Sequence, residues 1–144
     1  MKTLRDAIYS VVDALKASAG FNATYYEMPT SIETMPAVAI LTDGGQEIYE
    51  STAENTLELQ VRVRTMTEKQ DTSDNDKDET DKILTINDAI LAELRKKTTQ
   101  TLSGESYYLL SAKIEPILVG PIENMNVFYQ DIIFTVKTTK DVTL

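Results

Sequence analysis

The densest run of oxygen-bearing side chains in this 144-residue chain is DTSDNDKDETDK, residues 71–82. Alternate carboxylates at Asp74, Asp76 and Asp78 are the chemistry of a calcium loop, in which a hard cation collects oxygen ligands. An EF-hand loop also needs a Gly at its sixth position and a bidentate Glu at its twelfth. Counted from Asp74, those positions hold Glu79 and Thr85; counted from Asp71, they hold Asp76 and Lys82. Neither register closes the cage. A solvated loop leading into an ordered element is the better account.

Other chemistry is thin. The chain has no cysteine and no histidine, which removes disulfides, thiolate nucleophiles, the commonest general base and the commonest transition-metal ligand. Its five glycines are scattered, and Gly44-Gly45 lacks the Lys and Ser/Thr of a phosphate loop. The pairs Tyr25-Tyr26 and Tyr107-Tyr108 have no basic groove beside them for stacking nucleic-acid bases, so one ring in and one ring out is the expected packing. Arg62 and Arg64 share a strand face and can grip an anion, but flanking acids make carboxylates their expected partners, within the chain or across an interface. No catalytic set emerges, and an enzyme is the weaker expectation.

The charge is uneven. Residues 43–58 carry five acids and no base, and residues 68–81 carry seven acids against two lysines. Together these segments account for the whole excess in a net charge of -9, leaving the remainder at +1. Acidic surfaces of this kind repel phosphates and do not bind nucleic acid by counterion release. No run of about 18 apolar residues is present, so no membrane span is expected. The length suits a single domain over 1–144, with acidic loops at about 43–55 and 68–80.

Periodicity supplies the elements that must position these charges. Leu4, Ala7, Ile8, Val11, Val12 and Leu15 recur at helical spacing over about residues 3–18, with Gly20 as a stop. ATYYEM at 23–28 reads as a short extended segment, PAVAIL from Pro36 as a buried strand, and TDGGQ as a turn. In TLELQVRVRT, Leu57, Leu59, Val61 and Val63 alternate with Glu58, Gln60, Arg62 and Arg64, the period of a strand with one face in the core. Its two ends, and so the two acidic segments, are expected about 30 Å apart. Ile83, Ile86, Ile90 and Leu94 mark a second helix, widened by Leu84 and Leu91. Asp76 with Glu79, or Thr80, is expected to cap its start, and Arg95, Lys96 and Lys97 to fall in its last turn. YYLLSAKIEPILVG reads as a strand bent near Pro116, GPIEN as a turn, and NVFYQDIIFTVKTT as the last strand. The order α-β-β-α-β-β predicts an α+β fold with a mostly antiparallel sheet of about four strands and two helices packed on it.

LRDAIYSVVDALKA, MPAVAIL, the acidic turn after it and NTLELQVRV together resemble the lambda-type phage tail terminators, the minor tail protein U family. The resemblance covers mainly residues 4–64; the later helix and strands agree in type only. It implies a structural virion protein of a siphophage that forms a homohexameric ring at the tail-head junction after assembly in the host cytoplasm. Such a ring caps the tail tube, stops its polymerisation and joins tail to head, with the tail tube protein and the head-tail connector as partners. DNA would pass through an acidic channel without sequence-specific binding. The expected assembly contacts are Asp43, Glu47, Glu50 and Glu54, then Arg62 and Arg64, then Asp71, Asp74, Asp76, Asp78 and Glu79. Residues 68–81 are expected to face the lumen or a neighbouring ring. No cofactor is implied, although Mg²⁺ screening of the acidic subunits would promote assembly. A head-side connector or stopper of the same neck is the neighbouring reading. From other classes come a carboxylate-rich metal- or ligand-binding domain and a Mg²⁺-dependent enzyme.

Overall fold

The computed structural model describes residues 2–29, 32, 34–41, 48–50, 56–69, 76–95, 100–102, 105–122 and 125–139. Among them the order is α1 (Lys2–Asp13), α2 (Lys16–Ala19), β1 (Ala23–Tyr26), β2 (Ala37–Leu41), β3 (Ile48–Glu50), β4 (Thr56–Glu68), α3 (Asp76–Leu94), β5 (Gln100–Leu102), β6 (Glu105–Ile114), β7 (Leu118–Ile122) and β8 (Met125–Thr139). The class is α+β, as expected, but the sheet is larger and mixed. Eight strands join it in the path β1-β2-β4-β8-β6-β5, with β3 on β4 and β7 on β8. β1 runs parallel to β2, and the other pairings are antiparallel. The expectation of about four strands missed β3 and β5 because three residues are too few to show a period.

The long pair β4–β8 is the spine. It stays in register over all of β4, from Thr56 opposite Thr139 to Glu68 opposite Val127. At about 3.3 Å per residue, β4 is about 40 Å long rather than the 30 Å expected from its alternating part. The alternation ends at Thr65, Met66 and Thr67, which are all buried because both faces of the sheet are covered there. On the far side of β8, β6 and β7 lie end to end, Ile114 opposite Ile132 and Leu118 opposite Tyr129. The chain bends between them at Pro116, which cannot donate to a ladder.

Helices cover one face. Ile8, Val11 and Val12 of α1 and Ile86, Ile90, Leu91 and Leu94 of α3 pack on Val38, Ile40, Val61, Val63, Ile132 and Phe134. The first helix is shorter than its pattern suggested: Leu15 donates to Val12 O at 3.0 Å, three residues back, so α1 ends at Asp13 and a single turn, α2, follows. Gly20 caps α2 in the left-handed conformation (φ 90°), its N–H on Lys16 O, as its position predicted. On the opposite face the β1–β2 connection lays Ile32, Met28 and Met35 over Ala37, Ala39, Leu41 and Met66. Leu84 departs from the expected stripe and is exposed, although Leu91 on the same side of α3 is buried. Cover on that side is confined to the C-terminal half of the helix.

Candidate assembly surfaces

Three places gather polar or reactive side chains. The first is on the sheet face turned away from α1 and α3. Alternation along β4 puts Arg62 and Arg64 there, and the register sets Asp131 of β8 directly across from Arg64. Arg64 donates from Nε to Asp131 Oδ1 at 2.7 Å and from Nη2 to Oδ2 at 2.9 Å, while Arg62 Nη1 reaches Oδ2 at 2.8 Å. The Arg64 guanidinium also stacks 4.8 Å from the centre of the Tyr129 ring. Burial of Asp131 is the largest single influence on its carboxyl and raises its pKa. The bonds and charges of Arg64 and Arg62 together outweigh burial and hold it below the usual carboxylate value. The site is one buried carboxylate held by two half-exposed cations.

The second is a buried polar chain on the helix side. Thr65 Oγ1 donates to Asn87 Oδ1 at 2.6 Å, Asn87 Nδ2 to Gln130 Oε1 at 2.6 Å, and Gln130 Nε2 to Glu115 O at 2.9 Å. It ties the middle of α3 through β4 and β8 to the bend between β6 and β7. Thr65, Asn87 and Gln130 are all buried, so the chain replaces water that these groups have lost. The signal for it was Asn87 itself: it sits four residues after Ile83 and three before Ile90, inside the apolar stripe, where a polar residue needs a partner. The signal for Asp131 was equally local, a single acid in the middle of the apolar strand NVFYQDIIF.

The third is an open cleft of about 660 Å³ between the N-terminal half of α3, the end of α2 and Pro36. Asp78, Glu79, Asp81 and Lys82 line its α3 side, and Lys82 Nζ bonds Glu79 Oε1 at 2.9 Å. Asp76 is the first residue of α3 and Asp78 and Glu79 lie in its first turn, so residues 76–80 are helix and not the expected loop. Asp76 is therefore inside the helix rather than its cap, and the Glu79 carboxylate goes to Lys82. At the other end α3 stops at Leu94 with no base in its last turn; Arg95 follows it, and Lys96 and Lys97 lie outside the described residues.

The expected contact residues are thus not one cluster. Arg62 and Arg64 share Asp131 on one face, Asp78 and Glu79 sit on α3 on the other side of the sheet, and Glu50 ends β3, opposite Thr56. Asp43, Glu47, Glu54, Asp71 and Asp74 lie outside the described residues, as does the TDGGQ turn. Among the described residues, no group of three or more His, Cys, Asp or Glu side chains is placed to hold a metal ion, and no helix is long and apolar enough to cross a membrane.

No protein-family model matches the chain, and no curated protein matches it. Among solved structures, a chain from the virion of a native gene transfer agent (GTA) particle shares the fold. It superposes with a TM-score of 0.66 over 96% of this chain and 96% of that chain, at 14% sequence identity. The likeness is one of fold, and it runs essentially end to end on both sides.

Proposed function

We propose that this chain is a non-enzymatic structural subunit of a phage-like virion, and that it works as the tail terminator. The observation that carries the reading is the end-to-end fold likeness to a chain of a GTA virion. The finer assignment rests on the sequence resemblance over residues 4–64. In this reading the subunits form a hexameric ring at the tail-head junction. The ring meets the tail tube on one axial surface and the head-tail connector on the other, and DNA slides through its channel.

The physical character of the chain suits that work. Two acidic segments flank β4, so charge is concentrated at the ends of a 13-residue strand that pairs with β8 along its whole length. A carboxylate-rich lumen passes DNA without gripping it, because retention needs cations that release condensed counterions. Mg²⁺ would act only by screening repulsion between subunits of -9 each. A gold-labelled antibody against the chain, applied to particles of its own phage, tests the position. Label at the tail-head junction is expected. Label along the tail, on the capsid or on no particle contradicts the terminator reading.

A further inference from the structure

The exposed large apolar side chains are not scattered. Of the five among the described residues, Ile114 (51% exposed), Leu118 (46%) and Val119 (50%) lie at the bend and start of the β6–β7 edge, and Tyr26 (40%) closes β1. β1 and β6 stand near opposite ends of the strand path. Four strand spacings of about 4.8 Å put them roughly 19 Å apart, so neither edge can cover the other within one molecule.

Charge singles out the same two places. Residues 17–26 are the longest uncharged stretch of the chain, and residues 106–122 carry only Lys113 and Glu115, which offset each other. In a chain of -9, these are surfaces on which a second copy meets no repulsion. The bend is also held in place: Glu115 N–H donates to Asp131 O at 2.9 Å, and Glu115 O accepts from buried Gln130. These bonds fix a turn beside which three apolar side chains stay open to water, Leu118 on the Tyr129 face of the sheet and Val119 on the Phe128 face, so that they flank the strand edge from both sides. Pro116 and Pro121 withhold backbone donors at both ends of the patch, which suppresses indiscriminate strand pairing and leaves the side chains to make the contact.

We propose that the β6–β7 edge docks on the β1 edge of a second copy of this chain, in a head-to-tail contact centred on Leu118, Val119 and Tyr26. A contact between two different surfaces of the same chain is heterologous and closes into a ring when its rotation permits. The proposal names the subunit contact of the ring reading above and rests on it.

The chain has no cysteine, so disulfide trapping has no background. Full-length Tyr26→Cys and Val119→Cys proteins are oxidised separately and mixed, together with the double variant; Leu84→Cys, exposed on α3, is the control. The mixture is expected to form the heterodimer at least tenfold faster than the control dimerises, and the double variant to give a ladder. Because Tyr26 packs edge-on against Tyr9 at 5.7 Å, Asn22→Cys at the exposed start of the same edge replaces it if the thermal midpoint falls. Leu118→Lys in the double variant is expected to keep the midpoint and to cut cross-linking at least tenfold. Cross-linking of Val119→Cys to itself as fast as in the mixture would show a symmetric contact and overturn the proposal. So would rates equal to the control, or a Leu118→Lys variant that cross-links undiminished. The readout involves no tail or head protein, so a ladder without label at the tail-head junction would keep the contact and sink the terminator reading.

Discussion

Asp131 is the residue on which the polar face of the sheet turns. Removing the buried carboxylate breaks its ion pairs with both Arg62 and Arg64, and breaking such pairs is costly. Asp131→Asn is expected to lower stability at pH 7 by about 2–3 kcal/mol, measured by urea denaturation. The same pair predicts a pH dependence of definite sign. The folded carboxyl titrates below its unfolded value, so its contribution is complete above that unfolded value and is lost as pH falls through the lower, folded one. The gap between wild type and Asp131→Asn should therefore narrow between pH 5 and the most acid pH at which both still fold. A gap that is constant with pH would mean that the carboxylate charge is not what holds Arg62 and Arg64.

At the scale of elements, α3 gives the sharpest contrast. Ile90 is fully buried and Leu84, one turn and a half ahead of it on a different side, is 43% exposed. Ile90→Ala should cost about 3 kcal/mol in urea or thermal denaturation, and Leu84→Ala within about 0.5 kcal/mol of nothing. Periodicity alone would have assigned both to the core. What could be read in the sequence were the elements with a one-face period (α1, the first half of β4, α3 and β8), the continuous apolar run of β2, buried on both faces, and the bend at Pro116. What could not be read depended on contacts distant in sequence. The parallel pairing of β1, the double burial at Thr65–Thr67 and the match of Arg64 to Asp131, 67 residues on, follow from register, which no local period reports. The polar chain through Asn87 was half legible, since its misplaced amide was visible but Thr65, Gln130 and Glu115 were not. Within the acidic run the capping residues point to a helix start near Asp76, and carboxylates from there onward suit the first turn of α3 through the helix dipole; only the loop bound near residue 80 overshoots.

For the whole molecule, the balance is between a net charge of -9 and two edges without net charge. Repulsion between subunits extends about 10 Å at 0.1 M salt and about 30 Å at 0.01 M, so the mass of the free protein should depend on ionic strength. Native mass measurements are expected to show mainly monomer at low salt and a shift to the ring on adding millimolar Mg²⁺, with sodium chloride reproducing the shift at higher concentration. A shift unique to one divalent cation would point instead to a specific binding site among the carboxylates. The proposed function, that the chain ends a growing tail tube, is tested most directly with the tail tube protein it would cap. Purified chain would be added to polymerising tubes and their lengths measured by electron microscopy. The account predicts that growth stops, with density capping one end of each tube. Tubes that elongate at the same rate with bare ends would contradict it.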